Sequence, residues 1–279
     1  MKTNHSKEKK IINKIILIFR ILSIIIIIYC LLYIFNWYLE NKKNKEIFQE
    51  ITSNNILDTI VIEIPETTDS TNNSTNAKPT EPSKPTQTTQ VVTYTFDFKN
   101  LLSINDSTIG WIYVPGTNIN YPVVQANDND FYLKHSFNKT KNSAGWIFAD
   151  YRNKLDGTDK NIIIYGHNRM DSSMFATLRN TQKQNWTTNK NNHYITFSTP
   201  DGNTHIYQVF STYTIKSETY YLTTIFQNDD TYLDFLNTLK NRSSYNFNVN
   251  LSKEDSILTL STCDSSGKSR VIVHAKKIK

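Results

Sequence analysis

Cys263 is the residue whose type and setting most invite chemistry. It ends the apolar run SILTLST (256–262) and is followed at once by the polar stretch DSSGKS. The chain's other cysteine, Cys30, lies far upstream in an apolar run, so no disulfide framework is implied. A cysteine is often only a small buried hydrophobe, but one at the boundary between a strand and a polar turn sits where a substrate can reach it. The next apolar run, RVIVHA (270–275), opens on Arg270. If the two runs form a hairpin, Cys263 and Arg270 flank one turn. A fixed cation near a thiol favours the thiolate, its nucleophilic form. The guanidinium can also donate hydrogen bonds to a carbonyl oxygen that gains negative charge.

A thiol nucleophile needs a proton acceptor and a leaving amine needs a donor; histidine serves both near neutral pH. The chain has six histidines. His5 precedes the longest apolar segment, and His135, His193 and His205 lie in or beside strands and polar loops, as surface or half-buried histidines do. His274 lies within the run 270–275, on the face opposite Val271 and Val273. His167 follows NIIIYG and precedes NRMDSS, again a strand giving way to a polar loop. Pattern alone leaves a Cys263–His167 pairing as one reading among several. No His/Cys/carboxylate cluster has zinc-like spacing, and no phosphate-binding glycine loop or G-x-S-x-G elbow occurs. Asp229 and Asp230 read as a helix start. No metal and no cofactor is expected.

The elements that must position these residues are short β-type runs: 111–114, 121–124, 145–149, 161–166, 193–198, 204–213, 256–262 and 270–275. Bounded by Gly, Asn, Asp and Pro, they predict a barrel or sandwich rather than a βαβ array. Helices are fewer. One is expected in DFKNLLSIN (97–105), one over 172–180 with Asp171 as N-cap, and one over 229–242, acidic at its start and basic at its end.

Upstream, residues 15–37 read IILIFRILSIIIIIYCLLYIFNW. As a helix they would extend roughly 34 Å at about 1.5 Å per residue, enough to cross a hydrocarbon core of about 30 Å. Arg20 lies near one end, where it can snorkel, and Tyr33, Trp37 and Tyr38 near the other. A cleaved signal peptide competes as a reading, but the run is long and lacks a small-residue cleavage site. Five lysines precede the span (Lys2, Lys7, Lys9, Lys10, Lys14) and three follow it closely (Lys42, Lys43, Lys45), which favours a cytoplasmic N-terminus over 1–14 and an outward-facing remainder. A juxtamembrane helix is expected within 38–64. Residues 65–90 hold four prolines, eight threonines and no large apolar side chain. Such a segment reads as a disordered stalk ahead of a folded domain at 91–279. The net charge of +6 is spread thinly, without the basic stripe of a nucleic-acid binder.

At this point the residues resemble a known family. Thr259-Leu-Ser-Thr-Cys263 followed by Arg270 is similar to the sortase signature, and Ile164-Tyr-Gly-His-Asn168 with Met170–Phe175 looks like the histidine segment of class B sortases. The stretches 110–117, 120–125 and 147–152, and the helix at 229–242, fit the same class. The resemblance covers about residues 97–277. It implies a mainly β, eight-stranded sortase barrel with a few helices. It also implies a membrane-anchored cysteine transpeptidase with Cys263 as nucleophile, His167 as acid and base, and Arg270 holding the substrate carbonyl or oxyanion. Its implied pocket residues are Asn129, Leu133, Tyr165, Tyr221, Leu222 and Ser261. The implied partners are surface proteins bearing a C-terminal sorting motif, with an amine of the peptidoglycan or its lipid-linked precursor as acceptor. Alternatives of similar chemistry are a pilin-polymerising sortase and an extracellular cysteine protease; a wall-spanning adhesin is the non-enzymatic one.

Overall fold

A computed structural model of the protein describes residues 2–65, 88–263 and 268–279. The turn after Cys263 and the 66–87 part of the Thr/Pro-rich segment lie outside the described residues. The chain divides into two units, residues 1–46 and 47–279. The first consists of most of helix α1 (Lys2–Asn55), whose apolar side chains from Ile12 to Leu39 are exposed and whose best 18-residue window has a mean hydropathy of 3.0. This long N-terminal apolar helix is consistent with a membrane anchor.

The second unit opens with the end of α1. There Ile51 is buried, and the Phe48 ring lies 4.5 Å from that of Tyr121. Asn55 closes the helix, its carbonyl accepting from the Asp97 amide at 2.9 Å. Residues 56–64, read from sequence as part of a juxtamembrane helix, are instead a strand, β1 (Ile56–Pro65), paired antiparallel with β2 (Thr88–Phe96). The physical reason is composition: Ile, Val and Thr are stiff at χ1 and favour a pleated surface over a helix. The register makes Pro65 and Thr88 partners. The two ends of the segment read as a stalk are therefore neighbours across a hairpin.

Helix α2 (Phe98–Ile104) follows, capped by Asp97, whose side chain accepts from the Asn100 amide. Eight strands then form the barrel: β3 (Thr108–Tyr113), β4 (Asn120–Gln125), β5 (Phe148–Ala149), β6 (Asn161–His167), β7 (Tyr194–Ser198), β8 (Thr204–Lys216), β9 (Ile257–Cys263) and β10 (Ser269–Lys277). They close in the order β10-β8-β7-β3-β4-β5-β6-β9. All eight predicted runs are strands, and the choice between barrel and sandwich falls to the barrel. Pairings are antiparallel except β4–β5 and β6–β9. Closure leaves no open sheet edge.

The short helix α3 (Gln184–Thr187) precedes β7. Between β8 and β9 lies helix α4 (Asp229–Asn241), with a capping box between Asn228 and Thr231. Its buried residues, Tyr232, Phe235, Leu236 and Leu239, recur at i, i+3, i+4 and i+7, one apolar stripe laid on the core. No helix starts at 172. Ser172 and Met174 take positive φ (62° and 53°), and Asp171 accepts from the Ser173 amide and hydroxyl. This local side-chain turn competes with helix initiation, and only a 3-10 segment, 176–182, follows.

Candidate active site

Strands β6 and β9 run parallel with Tyr165 beside Ser261, Gly166 beside Thr262 and His167 beside Cys263. Their isoleucine- and leucine-rich stretches are buried, as parallel strands covered on both faces are. Adjacent strands lie about 4.8 Å apart, so the main chains of His167 and Cys263 are direct neighbours where both strands end. Strand β10 flanks β9 on its other side, with Ile272 beside Ser261. The amide of Val271 donates to the Thr262 hydroxyl at 2.9 Å. Arg270, one residue earlier, is half-buried and donates to the Ser269 carbonyl at 3.2 Å. The three residues thus belong to three consecutive strands of the barrel, β6, β9 and β10.

The ring of His167 is fixed by its surroundings. Its Nε2 lies 2.9 Å from the Leu133 carbonyl oxygen. A carbonyl can only accept, so Nε2 carries the proton and Nδ1 is left to exchange one. Burial, with the Arg169 charge acting in the same sense, lowers the His167 pKa, and the Leu133 bond opposes this. Two glycines make the close packing here possible. A Cβ on Gly145, which has φ +62°, would lie 2.6 Å from the Tyr132 carbonyl oxygen and 2.8 Å from His167 Cδ2. A Cβ on Gly166 would lie 2.6 Å from the Phe175 ring. The loop after His167 folds back over the strand end, with the Phe175 amide on the His167 carbonyl at 3.0 Å.

The six residues expected to form the pocket fall into linked groups. Tyr165 Oη and Asn129 Nδ2 both donate to Asp150 Oδ2, at 2.8 and 3.1 Å. Arg152 grips the same carboxylate with Nε at 2.8 Å and Nη2 at 2.7 Å, and Nη2 also reaches the Leu222 carbonyl at 3.1 Å. Asp150 is fully buried. Burial alone would raise its pKa, but the Arg152 and Tyr165 bonds outweigh that and hold it below the usual carboxylate range. Tyr221 Oη and Ser261 Oγ are 3.1 Å apart, and Ser261 is the register partner of Tyr165. Leu133 contributes its carbonyl to His167.

Sequence reading passed over Asp150, Arg152 and Asn161. The first two were visible as the acid and base of Asp-Tyr-Arg at the end of 147–152, which a turn after β5 brings together. Asn161, opening a strand of isoleucines, gave no such signal.

The remaining histidines with described side chains have other settings. His135 stacks on Phe131 at 4.0 Å, and His193 packs against Trp186 and Phe247 while contacting the Thr187 carbonyl. His205 is half-buried, and His274 is wholly buried between Tyr213 and Thr259. Among the described residues no group of three or more His, Cys, Asp or Glu could hold a metal ion.

The barrel has counterparts in known proteins. The sequence model of the Sortase domain matches residues 112–278. Sortase B of Listeria monocytogenes is 38% identical over 186 residues, which are 65% of this chain and 74% of that protein. The solved structure of Clostridium perfringens sortase B aligns with TM-score 0.61 and 37% identity, covering 66% of this chain and 100% of that one. A Staphylococcus aureus sortase B–substrate complex aligns with TM-score 0.61 and 38% identity, covering 65% of this chain and 84% of the other. With its barrel closed in eight strands and this similarity spanning most of it, the chain belongs to the sortases, in the sortase B group of cysteine transpeptidases.

Proposed function

We propose that the transpeptidation runs through Cys263, His167 and Arg270, with a sorting-motif peptide of a secreted protein as acyl donor and a peptidoglycan amine as acceptor. The observation that carries this reading is the register of β6 and β9, which makes His167 and Cys263 main-chain neighbours at their strand ends. The Cys263 thiol gives its proton to Nδ1 of His167, and the resulting thiolate attacks the carbonyl carbon of the scissile peptide bond while Arg270 holds the developing oxyanion. The C–N bond then breaks, and the departing amine takes a proton from His167, leaving a thioester. The acceptor amine attacks that thioester, gives a proton back to His167 and expels the thiolate, so the enzyme is regenerated. The hydrogen bond to Leu133 occupies Nε2, which supports Nδ1 as the atom that exchanges protons. Asn129, Leu133, Tyr165, Tyr221, Leu222 and Ser261 form or support the donor site. Residues 15–37 anchor the enzyme, with the N-terminus in the cytoplasm and the barrel outside.

The test is mass spectrometry of the full chain in detergent after incubation with a panel of sorting-motif peptides, with and without an added amine. The expected result is a thioacyl adduct on Cys263, lost in Cys263→Ala, and a product that incorporates the amine. Turnover by Cys263→Ala at the wild-type rate would refute the nucleophile. Hydrolysis alone, with no amine incorporated, would replace the proposed transfer by proteolysis.

A further inference from the structure

The segment after β8 carries Tyr221 and Leu222 on a single 3-10 turn, Tyr220–Leu222. Its main chain is held from below in an unusual way. Asn161 Nδ2 donates to the carbonyls of Tyr221 (3.2 Å) and Thr223 (2.9 Å), while Arg152 Nη2 donates to the carbonyl of Leu222 between them (3.1 Å). Three consecutive carbonyls of a surface segment are thus taken by two side chains of the barrel.

The orientation of the Asn161 amide is itself determined. Carbonyls only accept, so the NH2 group faces the segment and Oδ1 faces the Thr259 hydroxyl at 2.6 Å. The one hydroxyl proton of Thr259 is used there. His274 Nδ1, 2.9 Å from the same oxygen, must therefore be the donor, and His274 Nε2 accepts from the Tyr213 hydroxyl at 2.9 Å. Every member of this buried chain has a partner of the right kind. On the outer side, Arg242 pairs with Glu218 and lies 5.1 Å over the Tyr220 ring.

We propose that Asn161 and Arg152 are positioning residues for peptide recognition. By fixing the carbonyls of residues 221–223, they set the Tyr221–Leu222 wall of the donor site beside Ser261. His274 and Thr259 act through Asn161 by holding its amide the right way round. This rests on the reading of Tyr221 and Leu222 as donor-site residues. A fold-stabilising role alone does not account for the arrangement, because Asn161 gives its amide group, and Arg152 a nitrogen it shares with Asp150, to one short segment that also carries the Tyr221–Ser261 contact.

The experiment uses the full chain in detergent, with Asn161→Ala and Arg152→Lys. Lysine keeps the charge facing Asp150 but loses the fork that reaches Leu222. Three readouts are taken: steady-state cleavage of a sorting peptide, alkylation of Cys263 by iodoacetamide, and hydrogen–deuterium exchange of peptides covering 219–226. The expected result is a KM raised about tenfold in each variant, as the loss of one or two hydrogen bonds to a peptide-binding wall gives. The kcat and the alkylation rate should stay near wild type, and exchange at 219–226 should rise. Unchanged exchange at 219–226 in both variants overturns the clamp whatever the activity. Faster exchange with an unchanged KM overturns its role in recognition. The reading beneath it is judged separately, on whether wild-type cleavage disappears in Cys263→Ala.

Discussion

His274 is held neutral by the fold, and that has a measurable consequence. Burial, with the Arg242 charge adding to it, pushes its pKa down to about 3. In the unfolded chain an ordinary histidine titrates near 6.5, so the unfolded state takes up the proton first. The stability His274 contributes is complete above about pH 6.5 and is lost as pH falls towards 3, at about 1.4 kcal/mol per pH unit. His167, His193 and His205 are shifted in the same direction, so a shallower slope remains without His274. Urea denaturation of the wild type and His274→Gln between pH 6.5 and 4.5 should show the smaller slope in the variant; equal slopes would contradict a neutral buried His274. Carboxylates such as Asp150 begin to take up protons in the unfolded chain at the lower end of this range, but they are common to both proteins and cancel in the difference of slopes. At this scale the sequence was legible where the residue types are rare and their strand-end position could be read. Cys263 and His167 each stood at the junction of an apolar run and a polar loop. Asn161 was not legible, because its amide group meets main-chain carbonyls of a distant segment, and a carbonyl has no sequence.

Among the elements, the hairpin β1–β2 departs furthest from what the residues suggested. The barrel strands could be read because each is a short apolar run between turn residues. The pairing of Ile56–Pro65 with Thr88–Phe96 could not, since it is set by partners on either side of a long polar segment. Once paired, the hairpin joins the catalytic unit. Val91 is buried with Tyr194 and Ile206, Thr93 donates to Thr196 at 3.1 Å, and Phe96 stacks on Trp111 at 4.4 Å. The polar segment 66–87 therefore leaves from and returns to adjacent residues. Replacing 66–87 by a two-residue Asn-Gly turn should leave thermal stability and peptide cleavage unchanged, or raise stability slightly, since a shorter loop costs less closure entropy. By contrast, Ile51→Ala should destabilise the catalytic unit by about 2–4 kcal/mol, as large-to-small core changes do. Loss of folding on shortening 66–87, read by circular dichroism, would show that the segment does more than connect the two strands.

For the whole molecule, the decisive property is which side of a membrane each part occupies. A cysteine transpeptidase acting on secreted proteins needs its barrel outside. Lysines are denser before the apolar stretch than after it, a bias that by the positive-inside rule supports the proposed cytoplasmic N-terminus. Arg20 is compatible with this, because from its place near the start of the stretch its stem reaches the cytoplasmic headgroups. The chain's two cysteines supply the test. Cys30 falls within 15–37, out of reach of a charged reagent in a membrane, whereas Cys263 belongs to the barrel. A membrane-impermeant maleimide added to intact protoplasts should therefore label the wild-type chain and leave Cys263→Ala unlabelled. A protease added outside should remove the barrel and spare an N-terminal tag. Labelling of Cys263 only after permeabilisation would invert the topology. It would also separate the enzyme from any wall acceptor, so the outcome bears on the proposed acceptor as directly as on the anchor.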